Sequence, residues 1–317
     1  MPNPLRIILS GGGTGGHIFP AVSIAHEIKA RYPHAELQFV GALGRMEMER
    51  IPAAGYPITG IPIAGFQRKA LHKNLGLPLK ILRSLSLVRQ LLQRTKPHAV
   101  IGTGGYVSGP TLFMAQRLGI PTLIQEQNGF AGWTNRLVSR QAKAICTAYP
   151  NMESVFPPAQ TIQTGNPVRP DIAAMAEGML SAADRASAKT ALGFDPNRKL
   201  ILILGGSQGA RAINQAVEHA QTSWLDAGHQ LLWQCGKFYF TDLNERLGSS
   251  TDRQIAAFMD DMVMAYRAAD LVVSRAGAGT LSELCCASAA AILIPSPNVA
   301  EDHQTHNALS LHDRGAA

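Results

Sequence analysis

The chain has 317 residues, of which 46% are hydrophobic and 16% are charged. This length is enough for two domains with separate cores, and the apolar content is ordinary for a soluble protein. The sequence contains no run of about 18 uncharged apolar residues and no signal-peptide pattern, which excludes the membrane-spanning class and predicts a cytosolic chain.

The first predicted strand, residues 5–10, runs into a loop that holds five glycines between positions 11 and 16. A helix is expected from about Ile18, and its first N–H groups have no partner within the helix. Glycine allows close approach to these groups, and the helix dipole favours an anion there. His17, at the rim of the loop, is the side chain that can exchange a proton near neutral pH.

The loop also fits the dinucleotide fingerprint, with glycines at positions 11, 13 and 16. That fingerprint further requires an acidic residue at the end of the second strand, to hold a ribose. The second predicted strand, residues 37–40, is followed by residues 41–44, which include no Asp or Glu. The sequence therefore disfavours an NAD site.

The net charge of +7 has its origin in one stretch, residues 50–125, which contains ten Lys and Arg and no acidic residue. Such an excess predicts an anionic partner, which is nucleic acid, lipid headgroups or an anionic substrate.

Within this basic stretch, residues 66–80 mix apolar and basic side chains, a pattern that suits the surface of an anionic membrane. The residues that would contact the membrane are Phe66, Lys69, Lys73, Leu77, Leu79 and Lys80. The alternative is a core helix with a solvated basic face. Nucleic acid is disfavoured because Phe66 is the one aromatic residue there.

Two further glycine-rich or polar loops follow the strands predicted at residues 98–102 and 120–124. Ligands of parallel sheets bind beyond the carboxyl ends of the strands, so the loops at 11–17, 102–109 and 125–132 should converge. This convergence would bring Glu126 and Asn128 close to His17. A solvated loop carboxylate is the alternative interpretation of Glu126.

The second half repeats the pattern after a hinge-like linker at residues 165–170. The strand at 200–204 leads into the loop at 205–209, which carries Ser207, and the strand at 271–274 leads into a helix that carries Glu283. A carboxylate there could complement the helix dipole or bind ribose hydroxyls.

The sequence thus predicts an α/β protein with a first domain at residues 1–165 and a second at 166–317. The twelve predicted strands are at residues 5–10, 37–40, 57–63, 98–102, 120–124, 145–148, 161–164, 200–204, 230–235, 255–258, 271–274 and 291–294.

Six motifs in one order strengthen this interpretation. They start at residues 12 (GGTGGH), 102 (GTGGYVSG), 126 (EQN), 165 (GNPVR), 205 (GGSQGAR) and 302 (DHQ). Together they closely resemble the MurG family of bacterial N-acetylglucosaminyltransferases, along the whole chain. The resemblance implies the GT-B fold, in which two Rossmann-like domains with parallel sheets face each other across a cleft.

The resemblance also implies a reaction. N-acetylglucosamine would pass from UDP-N-acetylglucosamine to the C4 hydroxyl of the muramoyl sugar of lipid I, giving lipid II with inversion at the anomeric carbon. No metal and no cofactor is expected, and the sequence contains no Asp-x-Asp. The enzyme would be a peripheral protein on the cytoplasmic face of the bacterial inner membrane, with wall-synthesis and division proteins as partners and no nucleic acid.

The site residues follow from the same resemblance, except that the base is chosen on chemical grounds. A single displacement needs a base for the incoming hydroxyl, for which His17 is the first choice and Glu126 the second. The expected donor contacts are Thr14, Gly15, Gly16, Asn128, Arg169, Ser207, Met259, Ala278, Gly279, Thr280, Leu281, Ser282, Glu283 and Gln304. The expected contacts to the acceptor diphosphate are Gly13, Gly104, Gly105 and Tyr106.

The chain departs from the family pattern at two points. Gln125 stands where many members have His. The sequence also stops in mid-pattern, where members usually continue, so we expect a truncated form. A UDP-N-acetylglucosamine epimerase of the same frame and a non-catalytic nucleotide-sugar-binding scaffold are the two rival functions.

Overall fold

A computed structural model shows two compact units, Met1–Pro167 and Val168–Ala317. Their boundary lies in the segment predicted to be the linker. The structure describes residues 4–66, 74–178, 180–206, 209–297, 299, 302–313 and 315–316.

The first unit contains a sheet of seven parallel strands with helices between them. The strand order β3-β2-β1-β4-β5-β6-β7 places the first strand beside the fourth, at the centre of the sheet. The strands are β1 (Arg6–Gly11), β2 (Glu36–Ala42), β3 (Ile58–Ile61), β4 (Ala99–Gly104), β5 (Thr122–Glu126), β6 (Ala144–Thr147) and β7 (Thr161–Gln163). The helices are α1 (Gly15–Arg31), α2 (Glu47–Ala53), α3 (Leu77–Thr95), α4 (Ser108–Arg117) and α5 (Trp133–Val138).

The second unit repeats the design with five parallel strands in the order β10-β9-β8-β11-β12. The strands are β8 (Leu200–Leu204), β9 (Gln230–Gln234), β10 (Arg253–Ala256), β11 (Leu271–Ser274) and β12 (Ala291–Leu293). The helices are α6 (Pro170–Ala173), α7 (Ala182–Ala191), α8 (Arg211–Asp226), α9 (Lys237–Leu247), α10 (Met262–Ala268), α11 (Ala278–Cys286) and α12 (His303–His312). The α/β class and all twelve predicted strands are confirmed, with ends that shift by a few residues.

Each sheet is buried on both faces, which explains why its central strands are continuously apolar. Successive side chains of a strand point to opposite faces. In β1, Ile8 packs in one core cluster and Leu9 in another. In β8, Leu202 and Ile203 divide in the same way, and every residue of this strand is buried.

The start of α1 differs from the sequence prediction. The helix begins at Gly15 rather than near Ile18. The carbonyl of Thr14 accepts hydrogen bonds from the N–H groups of both His17 and Ile18, at 3.1 and 3.3 Å. His17 therefore lies in the first helical turn and not in the loop before it. Among the described helices, none is long and apolar enough to cross a membrane.

A partly buried ion-pair network around Asp270 ties the amino-terminal edge of the second sheet to α7. Asp270 Oδ2 accepts a hydrogen bond from the N–H of Leu200 at 2.9 Å and lies 2.6 Å from Lys189 Nζ, while its Oδ1 accepts from Lys199 Nζ at 3.2 Å. Burial alone would raise the pKa of Asp270, but these hydrogen bonds hold the pKa below the ordinary value of 3.8. The ionised carboxylate is therefore part of what stabilises the second unit.

We expect Asp270→Asn to lower the stability most at neutral pH. Because the folded-state pKa of Asp270 is depressed, its contribution is complete above about 3.8 and is lost as the pH falls through the folded-state value. Urea unfolding from pH 7 downward should show the difference between parent and variant shrinking below that point. Asp226→Asn, on an exposed side chain of α8, is the control. A difference that stays constant with pH would contradict the assignment.

Candidate active site

Three loops meet at the carboxyl ends of β1, β4 and β5 in the first unit, as the sequence predicts. The contact between the first two is backbone against backbone. A Cβ on Gly105 would lie 2.1 Å from the carbonyl oxygen of Gly12, and one on Gly104 would lie 2.9 Å from His17 Nδ1. Both Gly104 and Gly105 have positive φ, so glycine is required there for space and for conformation.

His17 is held by one side of its ring. Its Nδ1 lies 2.9 Å from the carbonyl oxygen of Thr103 and 3.0 Å from Oε1 of Gln127. Both neighbours are acceptors, so the neutral ring carries its proton on Nδ1 and leaves the lone pair on Nε2. Nε2 has no hydrogen-bond partner among the residues that the structure describes. The half-buried ring is thus prepared to accept a proton at Nε2.

A network of buried amides fixes the partner of His17. The Nε2 group of Gln127 donates to Thr103 O at 2.7 Å, and it also donates to the side-chain oxygen of Gln125. Gln125 in turn donates to Asn166 Oδ1 at 3.0 Å. Gln125 is therefore part of the support beneath His17. Gln127 belongs to the motif at residues 126–128, but the sequence assigned it no role, because its contact with His17 depends on the fold.

The amino end of α1 offers backbone donors beside the ring. The N–H groups of Gly15 and Gly16 have no partner among the described residues, whereas those of His17 and Ile18 bond back to Thr14. Gly16 and Thr14 are exposed, and a Cβ on Gly16 would meet nothing closer than 3.6 Å. The predicted donor contacts Thr14, Gly15 and Gly16 thus lie in an accessible cradle that suits an anion.

Glu126 precedes Gln127, the residue that contacts His17, but its carboxylate is enclosed. It is 1% exposed, and its two oxygens accept from the N–H of Asn128 at 3.1 Å, the N–H of Gly132 at 3.0 Å and Nδ2 of Asn135 at 2.9 Å. This geometry suits a carboxylate that orders the loop at 127–132 better than one that abstracts a proton from a substrate.

Glu47 has the same role beneath the first loop and was not anticipated from the sequence. It is fully buried in the first turn of α2 and accepts from the N–H of Gly13 at 3.2 Å and of Ala42 at 3.1 Å. The amide of Gly13, predicted to contact the acceptor diphosphate, donates to this carboxylate instead of pointing outward. Tyr106 packs over Gly13, whose Cβ would lie 2.9 Å from the ring.

The second unit carries its own polar cluster around Glu283 in α11. The hydroxyl of Tyr266 donates to Glu283 Oε2 at 3.0 Å, and Arg169 Nε lies 4.0 Å from Glu283 Oε1. Burial raises the pKa of Glu283, while the hydrogen bond from Tyr266 and the charge of Arg169 act in the lowering direction. Arg169 also lies 3.9 Å from Asp171. The structure therefore joins Arg169 and Glu283, which the sequence placed more than a hundred residues apart.

The amino end of α11 and the start of α12 are tied to the ends of β11 and β12. Arg275 donates to the carbonyl oxygens of Ile294 at 3.2 Å and Pro295 at 3.0 Å, and Gln304 Oε1 accepts from the N–H of Ser296 at 2.8 Å. In α11, the N–H groups of Gly279 and Thr280 have no partner among the described residues.

The remaining predicted donor contacts are spread over the second unit. Ala278 and Leu281 are buried in α11, Ser282 donates to Ala278 O at 3.0 Å, and Met259 is half-buried against the core. Ser207 lies outside the described residues. Asn128, in the first unit, is half-buried beside Glu126.

The predicted membrane segment is described in part, since Lys69 and Lys73 lie outside the described residues. Phe66 is 62% and Leu79 71% exposed, Lys80 is exposed, and Leu77 is half-buried. The buried side chains of α3 are Ser84, Val88, Leu91 and Leu92. The first turns of α3 therefore present leucines to solvent, while its later turns pack against the core.

Comparison with known protein families assigns both units to the same family. The N-terminal domain model of glycosyltransferase family 28 matches residues 7–147, and the C-terminal domain model of the same family matches residues 200–317. The chain belongs to glycosyltransferase family 28.

Relatives of this family 28 glycosyltransferase match it along its whole length. The UDP-N-acetylglucosamine–N-acetylmuramyl-(pentapeptide) pyrophosphoryl-undecaprenol N-acetylglucosamine transferase of Phocaeicola vulgatus is 51% identical over 100% of this chain and 84% of its own length. The protein of the same name from Bacteroides fragilis is 50% identical over 99% of this chain and 82% of its own length. The crystal structure of Acinetobacter baumannii MurG superimposes with a TM-score of 0.74 at 32% identity, covering 98% of this chain and 84% of that one. These matches establish the GT-B fold predicted from the motifs.

Proposed function

We propose that this family 28 glycosyltransferase transfers N-acetylglucosamine from UDP-N-acetylglucosamine to the C4 hydroxyl of the muramoyl sugar of lipid I, giving lipid II in peptidoglycan synthesis. Relatives about half identical to it, matched over more than four-fifths of their length, carry the name of this transferase. The observation that carries the proposal within the molecule is His17, whose ring is fixed through Nδ1 beside the two free amides of Gly15 and Gly16.

His17 acts as the general base. Thr103 O and Gln127 Oε1 keep the proton on Nδ1, so Nε2 removes the proton of the attacking hydroxyl as the new glycosidic bond forms. The bond between the anomeric carbon and the diphosphate breaks in the same displacement, which inverts the anomeric configuration. The free amides of Gly15 and Gly16 bind an anionic group of the substrates close to the ring.

The second unit binds the donor. Glu283 accepts hydrogen bonds from the ribose hydroxyls, as carboxylates do in nucleotide sites. Arg169 and the N–H groups of Gly279 and Thr280 in the first turn of α11 stabilise the negative charge that develops on the departing UDP. Met259, Gln304 and Ser207 complete the donor contacts. Gly104, Gly105 and Tyr106, with the neighbouring loop at Gly13, form the surface for the acceptor diphosphate.

The acceptor is a membrane lipid, so the enzyme works as a peripheral protein on the cytoplasmic face of the inner membrane. The exposed leucines at the start of α3 lie next to Lys80 and within the stretch of ten basic residues. Apolar side chains that enter the headgroup region, with cations that pair with anionic lipids, are the features of an interfacial helix.

A transfer assay tests the proposal. The chain is incubated with UDP-N-acetylglucosamine and a soluble lipid I analogue, and the disaccharide product is separated. We expect UDP and disaccharide to form in equal amounts, with no sugar released or isomerised when the acceptor is omitted. Formation of an epimerised sugar from donor alone would favour an epimerase, and donor binding without any turnover would favour a scaffold.

We expect charge reversal in the membrane segment to abolish vesicle binding. Each basic side chain near an anionic bilayer contributes about 1 kcal/mol, so replacing Lys69, Lys73 and Lys80 with Glu should lower partitioning roughly 100-fold or more. Cosedimentation with vesicles containing phosphatidylglycerol measures the effect. The control replaces the exposed residues Arg31, Lys237 and Arg267 with Glu, which changes net charge equally. Equal partitioning of the two triple variants would refute the membrane assignment.

A further inference from the structure

We propose that Tyr266 is a positioning residue that orients the carboxylate of Glu283 toward the nucleotide's ribose. The inference rests on the proposed function, in which Glu283 binds that ribose. Tyr266 itself lies beneath the site and contacts the donor only through the carboxylate.

The geometry of the pair is that of a rigid donor and a partly exposed acceptor. Tyr266 is 2% exposed and packs in the same core cluster as Leu281 and Leu284 of α11. Its hydroxyl donates to Glu283 Oε2 at 3.0 Å, while the side chain of Glu283 is 24% exposed. A tyrosine has few rotatable bonds, so a buried ring fixes the position of its hydroxyl. That hydroxyl in turn fixes the rotation of the carboxylate.

A tyrosine at the buried position 266, rather than a phenylalanine, needs an explanation. Phenylalanine would fill nearly the same volume without placing a hydroxyl in the core, where an unpaired one is costly. The hydroxyl finds Glu283, and a hydrogen bond to a charged acceptor is stronger than one between neutral groups. The bond takes one lone pair of Oε2, and the carboxylate retains several acceptor positions for two ribose hydroxyls.

The groups around Glu283 act on its protonation in opposite directions. Burial raises the pKa of Glu283 above the ordinary value, and the charge of Asp171 acts in the same direction. Tyr266 from α10 and Arg169 from the start of α6 favour the ionised form. Cys286, on the same helix, is electrostatically coupled to Glu283 as well. Removing the Tyr266 hydroxyl should therefore move protonation of Glu283 toward neutral pH.

The test is the affinity of Tyr266→Phe for UDP-N-acetylglucosamine, measured by calorimetry from pH 5 to 8. The diphosphate diester of this ligand keeps its charge across that range. We expect affinity to fall roughly 5- to 10-fold at neutral pH, because the carboxylate that binds the ribose is no longer held in one orientation. We also expect the acid-side decline in affinity to begin at a higher pH than in the parent, which a packing defect alone would not produce.

Tyr56→Phe is the matched control, because Tyr56 is a buried tyrosine of the first unit that stacks near Phe39. A thermal melt of each variant establishes that the fold is retained. The inference is overturned if Tyr266→Phe melts like the parent and binds the donor with unchanged affinity and an unchanged pH profile.

A double-mutant cycle separates this inference from the proposed function. If Tyr266 acts through Glu283, then Tyr266→Phe should cost no further affinity in a Glu283→Gln background. Additive losses would overturn the positioning role. If Glu283→Gln alone binds the donor with unchanged affinity, the proposed ribose site is wrong. If Glu283→Gln loses affinity but Tyr266→Phe does not, the ribose site is retained and the role of Tyr266 is refuted.

Discussion

His17→Ala should lower turnover by at least a hundredfold and leave donor binding intact. A general base contributes roughly 10² to 10⁴ in rate, and the structure leaves Nε2 of His17 as the unpaired basic atom of the cradle at α1. Turnover is measured with saturating UDP-N-acetylglucosamine and a lipid I analogue, and the dissociation constant of UDP by calorimetry. A fall in the rate constant without a change in donor affinity identifies an interaction made in the transition state.

His26→Ala provides the control for this experiment. His26 lies on the same helix, is exposed, and has its ring near Tyr56 rather than near the loops. Its replacement should leave turnover near the parent value. Near-normal turnover of His17→Ala would remove His17 from the base role, and a parallel loss of UDP binding would indicate that His17 is a diphosphate contact.

Glu283→Ala should weaken donor binding roughly 30-fold or more, because two hydrogen bonds between ribose hydroxyls and a carboxylate would be lost. A more specific result is the loss of discrimination between a ribonucleotide and a 2′-deoxyribonucleotide. The parent should bind UDP much more tightly than 2′-deoxy-UDP, whereas the variant should bind both with similar affinity. Isothermal titration with the two nucleotides measures this preference directly.

Glu245→Ala, on an exposed side chain of α9, is the matched control and should keep the preference for the ribonucleotide. A Glu283→Ala protein that still discriminates between UDP and 2′-deoxy-UDP would place the ribose site elsewhere in the second unit. The result does not depend on catalysis, so it can be obtained even with a chain that turns over slowly.

The alternation of apolar strands and helices predicted the fold well, because parallel strands that are buried on both faces read as short continuous apolar runs. The convergence of loops at residues 11–17, 102–109 and 125–132 also followed, since the carboxyl ends of parallel strands share one edge. The sequence could not assign the role of individual carboxylates. Glu126 is the second-choice base in the sequence, and only the fold shows its burial and the four donors around its carboxylate.

Other site residues gave no signal in the sequence. Glu47 stands in the first turn of a short helix, where an acidic residue usually complements the dipole, and only the fold shows its contact with Gly13. Tyr266 reads as an ordinary core aromatic in the sequence, and only the folded second unit shows the hydrogen bond of its hydroxyl to Glu283. The early start of α1 depends on two hydrogen bonds to the carbonyl of Thr14, which glycine-rich composition does not encode.

The carboxylates of Glu47 and Glu126 should slow hydrogen exchange of backbone amides in the loops at residues 11–17 and 127–132. Each locks backbone amides that a surface loop would normally leave to exchange freely, namely those of Gly13, Asn128 and Gly132. Deuterium should therefore enter these positions slowly even in the unliganded protein. Substrates would meet loops that are already ordered, and little of their binding free energy would be spent on ordering them.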